Sequence, residues 1–276
     1  MVTYKNNQPY SILNNGIQMP LLGLGVYDMH GKEAVNAISD ALKIGYRLID
    51  TAEMYNNEEA VGESVAQSGI PRGEIFITSK VNNTSQGYDE TLKAFDNTLK
   101  KLAVDYLDLY LIHWPIKDKR KETWKAIEKI YAEGRVKAIG TGNYLLPFLK
   151  ELESYANIIP AVNQIEFSPY LFLKNELDYC NKNNIQLQAY TPLLRGKRFG
   201  DPKLVSVAKK YGKTPAQIIL RWAIQQGISS IPKSSNTNRL KENFDIFNFN
   251  IDMDDIQLIS SFDEQLRIID DPMLMY

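Results

Sequence analysis

Two rhythms of apolar and polar positions alternate along this chain. Short apolar runs occur at LLGLGV (21–26), YRLID (46–50), IFITSK (75–80) and YLDLYLIH (106–113). Four more follow at VKAIGTG (136–142), AVNQIEF (161–167), IQLQAY (185–190) and ISSIP (228–232). Their length and bounding residues predict eight strands. Between them apolar positions recur with helical spacing. KEAVNAISDALKIG sets Ala34, Ala37, Ile38, Ala41 and Leu42 on one stripe. TLKAFDNTLKKLAV and KETWKAIEKIYAEG repeat the pattern, the second closed by Gly134 as a helix stop. Ahead of these units, SILNNGIQMP (11–20) predicts a β-hairpin around Asn15-Gly16, a pair favoured by type I′ turns.

Strands alternating with helices imply parallel pairing through right-handed crossovers. Eight such units in about 250 residues suit a closed (β/α)8 barrel. No Pro- or Ser-rich hinge divides the chain, so residues 1–276 are expected to form a single barrel domain. Two helices are extra to the repeat, one near 201–211 and one in DMDDIQLISSF. The rival is an open doubly wound sheet, whose fingerprint needs G-x-G-x-x-G after the first strand. Gly23-Leu24-Gly25 meets Asp28 where the third glycine belongs, and Gly140-Thr141-Gly142 fails at Leu145.

Composition narrows the setting. Lys plus Arg is 32 and Asp plus Glu is 33, so nothing draws the chain toward nucleic acid or an anionic membrane. Cys180 is the single cysteine, which excludes an internal disulfide and fits a reducing compartment. MVTYKNNQPY lacks the apolar core of a signal peptide, and no segment reaches the roughly 18 apolar residues of a spanning helix. A cytoplasmic location is the expectation. The glycosylation-like triplets at Asn82 and Asn83 then carry no meaning.

Barrel enzymes place their chemistry at the C-terminal ends of strands. Strand two ends in Asp50, strand three in Lys80 and strand four in His113, with Tyr55 in the loop after strand two. Taken singly, each has a bland explanation: a cap, a solvated lysine, a histidine bonding a carbonyl. Three consecutive apolar runs, each ending in a different ionisable group, favour a site. His30, in DMHGKE, is a loop residue.

At these residues the chain resembles the aldo-keto reductase family. The matching segments are LGLGVY, GYRLIDTAEMYNNEEAVG, IFITSKV, LDLYLIHWP, VNQIEFSP and IPKSSNTNRLKEN, which together cover essentially the whole chain. The resemblance implies that Asp50, Tyr55, Lys80 and His113 form a catalytic set, with no metal. The residue types agree. Hydride transfer to a carbonyl builds negative charge on oxygen, and a proton must neutralise it. Tyrosine is a reluctant acid, with a reference pKa near ~10. A neighbouring Lys80 ammonium would lower that value, and Asp50 would hold the ammonium. Neutral His113 would donate an N–H to the carbonyl oxygen. Tyr27, Asn82, His113 and Trp114 are the candidate substrate contacts.

Phosphate loops of such barrels follow strands seven and eight. There Lys233, Ser234 and Arg239 offer two cations and a hydroxyl, suited to the 2′-phosphate of NADPH. The resemblance further implies that Glu242 and Asn243 contact adenine. By the same resemblance, Asn143 and Gln164 hold the nicotinamide amide, Tyr190 stacks on its ring, and Thr191 and Leu193 meet the pyrophosphate. Three positions depart from the usual pattern: Gly142 for Ser, Asn82 for Trp, and Ser168 for His.

The implied activity is NADPH-dependent reduction of aldehydes and ketones. A redox-inert nucleotide-binding barrel and a Schiff-base aldolase using Lys80 are the alternatives. Consumption of NADPH with a simple aldehyde separates them: the module binds without turnover, and borohydride traps the aldolase with its substrate. A short loop after strand four and a short tail after Asn243 imply an open mouth and broad use of small aldehydes. No apolar stripe is left over, so a monomer is expected.

Overall fold

The computed structural model describes residues 2–5 and 8–275. Three strands come first: β1 (Val2–Lys5), β2 (Gln8–Ile12) and β3 (Gln18–Pro20), paired antiparallel in that order. β2 and β3 form the expected hairpin, whereas β1 has no signal in the sequence pattern. The turn also differs from the expectation. The Gly16 N–H donates to the Leu13 carbonyl and the Leu13 N–H to the Ile17 carbonyl, both at 2.9 Å. Gly16 (φ 85°) is the one left-handed residue of the turn. This is a three-residue loop, a type I turn closed by a glycine bulge. Tertiary contacts select it: the Asn14 and Asn15 amides donate to the carbonyls of Pro160 and Lys137.

Eight parallel strands follow: β4 (Leu24–Gly25), β5 (Leu48–Asp50), β6 (Phe76–Val81), β7 (Leu107–Ile112), β8 (Val136–Gly142), β9 (Val162–Glu166), β10 (Gln186–Tyr190) and β11 (Ser229–Ser230). Each bonds to the next in chain order. The cylinder closes where Leu22 bridges Ser230 and Gly25 bridges Lys233. The Ser230 N–H donates to the Leu21 carbonyl at 2.7 Å and the Gly23 N–H to the Ser230 carbonyl at 2.9 Å. The architecture is the (β/α)8 barrel that the strand count implied.

The helices are α1 (Gly31–Ile44), α2 (Glu58–Gln67), α3 (Tyr88–Leu102), α4 (Arg120–Ala132), α5 (Leu146–Glu153), α6 (Lys174–Lys182), α7 (Pro202–Tyr211), α8 (Pro215–Gln225), α9 (Thr237–Phe244) and α10 (Met253–Ser260). α7 and α10 are the two expected extras. α1 buries the five residues of its predicted stripe. α7 opens on Asp201, whose side chain accepts from the Lys203 N–H, and closes on left-handed Gly212. Thr214 and Gln217 start α8 with a reciprocal capping box. Among the described residues no helix is long and apolar enough to cross a membrane.

Two apolar layers result. The larger lies between sheet and helices and includes Trp124, Trp222, Phe95 and Phe148. The smaller fills the barrel with Leu48, Phe76, Leu109, Leu111, Ala138, Val162 and Ile231, over Leu13 and Met19 of the hairpin. The hairpin thus plugs the barrel floor. Side chains along a strand alternate between faces. Two residues beyond inward Leu48 is Asp50, four beyond inward Phe76 is Lys80, and two beyond inward Leu111 is His113. The same alternation that fills the floor puts these groups at the mouth.

Candidate active site

Lys80 is fully buried at the top of β6 and donates to three oxygens. Its Nζ lies 2.6 Å from Asp50 Oδ1, 2.9 Å from the Thr51 carbonyl and 3.4 Å from the Tyr55 hydroxyl. Tyr55 ends the short helical turn Glu53–Tyr55 after β5 and is half-buried. Its ring meets Tyr27 edge-on at 5.1 Å and His113 at 5.5 Å between centroids. Asp50 Oδ2 accepts from Gln164 Nε2 at 2.7 Å. The four candidate groups therefore converge from three consecutive units.

Electrostatics assigns each a protonation tendency. Burial, then the nearby Lys80 charge, holds the His113 imidazole well below its ordinary pKa, so the ring is neutral. Burial pulls the Lys80 ammonium down and pushes the Asp50 carboxyl up, while their contact opposes both shifts. Burial, then the Asp50 charge, raises the Tyr55 phenol well above its ordinary value. This differs from the sequence-based expectation that Lys80 lowers it. Burial of the phenol decides it, with the Asp50 charge adding to the rise, while the ammonium lies nearer to Asp50 and Thr51 than to the phenol.

The cofactor candidates line the other half of the mouth. Asn143 takes a left-handed backbone (φ 63°), which asparagine tolerates. Its Nδ2 donates to the His113 carbonyl at 2.9 Å, and its Oδ1 accepts from the Tyr190 hydroxyl at 2.6 Å. Gln164 commits its amide protons to Asp50 and to Gln188 Oε1, each at 2.7 Å. The loop after β10 holds Thr191 and Leu193 and has three left-handed non-glycine residues, Thr191, Leu194 and Arg195. Such strain clusters at ligand-binding loops. Ser234 is buried; Lys233, four residues before α9, and Arg239, in its first turn, are exposed and appear in no ion pair among the described residues. Glu242 Oε1 accepts from Thr214 Oγ1 at 2.6 Å, and Asn243 is buried.

On the substrate side Tyr27 is 52% exposed, Trp114 is 9% exposed, and Asn82 is half-buried. The departure at Gly142 has a local cause. A Cβ there would stand 2.7 Å from the His113 carbonyl oxygen and 2.8 Å from that of Ile112. Glycine lets the end of β8 close on the end of β7, where Asn143 also bonds. Ser168 Oγ instead accepts from the Tyr170 and Leu171 N–H groups, shaping the loop after β9.

The model of the aldo/keto reductase family matches residues 21–264. The chain belongs to this family. This aldo/keto reductase is 48% identical over 261 residues to a glyoxal reductase of Bacillus subtilis (strain 168), covering 94% of this chain and 95% of that protein. It superposes with a TM-score of 0.93 and 45% identity on MGS-M4, an aldo-keto reductase from a Medee basin deep-sea metagenome library, covering 95% and 97% of the two chains. A Gox0644 mutant in complex with NADPH matches with a TM-score of 0.92 and 38% identity, covering 96% and 98%.

Three groups in this reductase escaped the sequence reading. Gln188 links Gln164 to Ser229 Oγ at 3.1 Å. A polar residue at an inward strand position was its available signal. Asn57, 3% exposed, donates to the carbonyls of Val26 (2.8 Å) and Met29 (3.0 Å) and accepts from Thr51 Oγ1 (2.6 Å). It ties the Tyr27 loop to the end of β5. Glu53 receives two bonds from the segment after β6. Neither Asn57 nor Glu53 has a sequence signal apart from the family motif, because their partners are distant in the chain.

Proposed function

We propose that this aldo/keto reductase reduces small polar aldehydes and ketones with NADPH, Tyr55 supplying the proton. One observation carries the reading: Lys80 Nζ touches Asp50 and Tyr55 at 2.6 and 3.4 Å beside neutral His113. NADPH, when bound, supplies the hydride. The Tyr55 hydroxyl holds the proton, because its raised pKa keeps it a phenol until oxyanion charge develops nearby. Lys80 then stabilises the phenolate, and Asp50 keeps the ammonium aimed. His113, neutral, offers an N–H to the carbonyl oxygen and orients it. Trp114 and Tyr27 wall the approach. The Schiff-base alternative loses ground, since fully buried Lys80 already donates to three oxygens. A panel of small carbonyls, with NADPH absorbance followed, tests the reading. Turnover is expected, and binding without turnover would sink it.

The donor set fits NADPH. Lys233 and Arg239 are exposed cations that form no ion pair among the described residues, near buried Ser234. Arg239→Ala is expected to weaken NADPH binding by about 1.5–3 kcal/mol, the worth of hydrogen bonds to a charged group. NADH, lacking the phosphate, should bind as before. Equal losses for both cofactors in a fluorescence titration would refute the assignment.

Polar substrates follow from Asn82. A short amide replaces a flat indole two residues after Lys80, and it makes no capping bond to the turn it begins. Aromatic aldehydes forgo a stacking surface worth about 0.5–1.5 kcal/mol. Asn82→Trp should shift the kcat/KM ratio several-fold toward an aromatic aldehyde over a small polar one. An unchanged ratio would mean that the side chain never meets substrate.

A further inference from the structure

The strap Asn82–Gln86 crosses three units of the barrel mouth. Its far end is well anchored. Gln86, 2% exposed, donates through Nε2 to the Trp114 carbonyl at 2.7 Å. The Gly87 N–H donates to Thr123 Oγ1 at 3.0 Å, and Thr91 Oγ1 donates to the Ser85 carbonyl at 3.2 Å. Among the described residues its near end makes side-chain hydrogen bonds outward to one residue, Glu53. Glu53 Oε2 accepts the Asn82 N–H and Glu53 Oε1 accepts the Ser85 hydroxyl, both at 2.8 Å. Glu53 also begins the turn that ends in Tyr55, and its carbonyl accepts the Asn56 N–H.

We propose that Glu53 is a positioning residue that fixes the substrate side of the pocket by clasping the Tyr55 turn to this strap. The argument rests on the carbonyl-reductase reading for what the pocket holds, and on the hydrogen bonds alone for the clasp. Both oxygens of one carboxylate are used, so the strap cannot slide without breaking a charge-assisted bond. Residue 82 gives the clasp its purpose. An indole there could fix the strap by packing against its surroundings, and a short amide cannot. With Asn82 in place, the carboxylate takes over that task. The gap between the Tyr55 turn and the Trp114 loop is then set by two links in series, Glu53 to the strap and Gln86 to Trp114. The cofactor candidates lie on other units and take no part in this chain of bonds.

The test uses Glu53→Ala, Glu53→Gln and Ser85→Ala in the full chain with NADPH and a small polar aldehyde. Glu53→Ala should raise KM on the order of tenfold while kcat changes by less than about threefold, the pattern of lost substrate positioning with the proton donor kept. NADPH affinity should stay level. Glu53→Gln, keeping one acceptor, should fall between parent and Ala. Ser85→Ala removes one bond without touching the Tyr55 turn, and should raise KM less, in the same direction. Backbone hydrogen exchange at 82–85 should quicken in Glu53→Ala whether or not substrate turns over. A parent that reduces no carbonyl overturns the functional reading, and the exchange result then judges the clasp alone. Unchanged exchange and KM would overturn the clasp. A fall in kcat with KM unmoved would overturn the positioning role in favour of direct action on Tyr55.

Discussion

Tyr55→Phe is expected to lower carbonyl turnover by about 10²–10⁴-fold, the scale of a lost general acid, with NADPH affinity nearly unchanged. The substitution removes one oxygen. The phenyl ring keeps its edge contacts to Tyr27 at 5.1 Å and to His113 at 5.5 Å. The hydroxyl's bond from Lys80, at 3.4 Å, is the longest of the three that the ammonium makes, so the Lys80–Asp50 pair stays in place. Loss of activity together with cofactor binding would mark Tyr55 as structural, and retained turnover would remove it as the proton donor. The pH dependence of the parent adds a second check. Tyr55 is raised well above its ordinary range and His113 is held well below its own. Neither changes protonation near neutrality. Reduction should therefore stay level between about pH 6 and 8 if these two groups govern it. A steep acid limb near the ordinary histidine value, about 6.5, would show that His113 titrates as an open imidazole.

The mouth of the barrel was legible because strand alternation is a local rule. Leu48 then Asp50, Phe76 then Lys80, and Leu111 then His113 each obey it, so the inward apolar pattern foretold which polar groups would share a face. The same rule could have flagged Gln188, inward between Gln186 and Tyr190 on β10. What stayed hidden depends on partners far along the chain. Glu53 meets Asn82 and Ser85, and Asn57 meets Val26 and Met29. The turn at Asn15-Gly16 departs from the type I′ expectation for the same reason: Asn14 and Asn15 bond to Pro160 and Lys137, over a hundred residues away. The direction of the Tyr55 shift needed the folded surroundings, since burial and then the Asp50 charge raise the phenol.

Lys80→Met should destabilise the fold by about 3–5 kcal/mol, the cost of leaving one partner of a buried ion pair alone. Lys80 is 0% and Asp50 2% exposed, so water cannot replace the ammonium. Asp50 would keep only the Gln164 amide, 2.7 Å from Oδ2, and the Thr51 carbonyl would lose its donor. The pH dependence has a definite sign. Burial already raises the Asp50 pKa against the pull of Lys80, and removing that pull raises it further. A carboxyl whose folded pKa lies above its unfolded value binds more protons in the folded state across that window. Stability is therefore lost as pH rises from the ordinary carboxylate value, about 4, through the raised one. The gap between variant and parent should narrow on going from pH 8 to pH 5, as read from urea midpoints. Combining Lys80→Met with Asp50→Asn removes the stranded charge and should restore much of the stability at pH 8, yet none of the turnover. That result would separate the two tasks of the pair, since an uncharged couple can fill the mouth but cannot stabilise a phenolate. If the double variant stays as unstable as Lys80→Met, the loss comes from packing around residue 80 and the stranded-charge account fails.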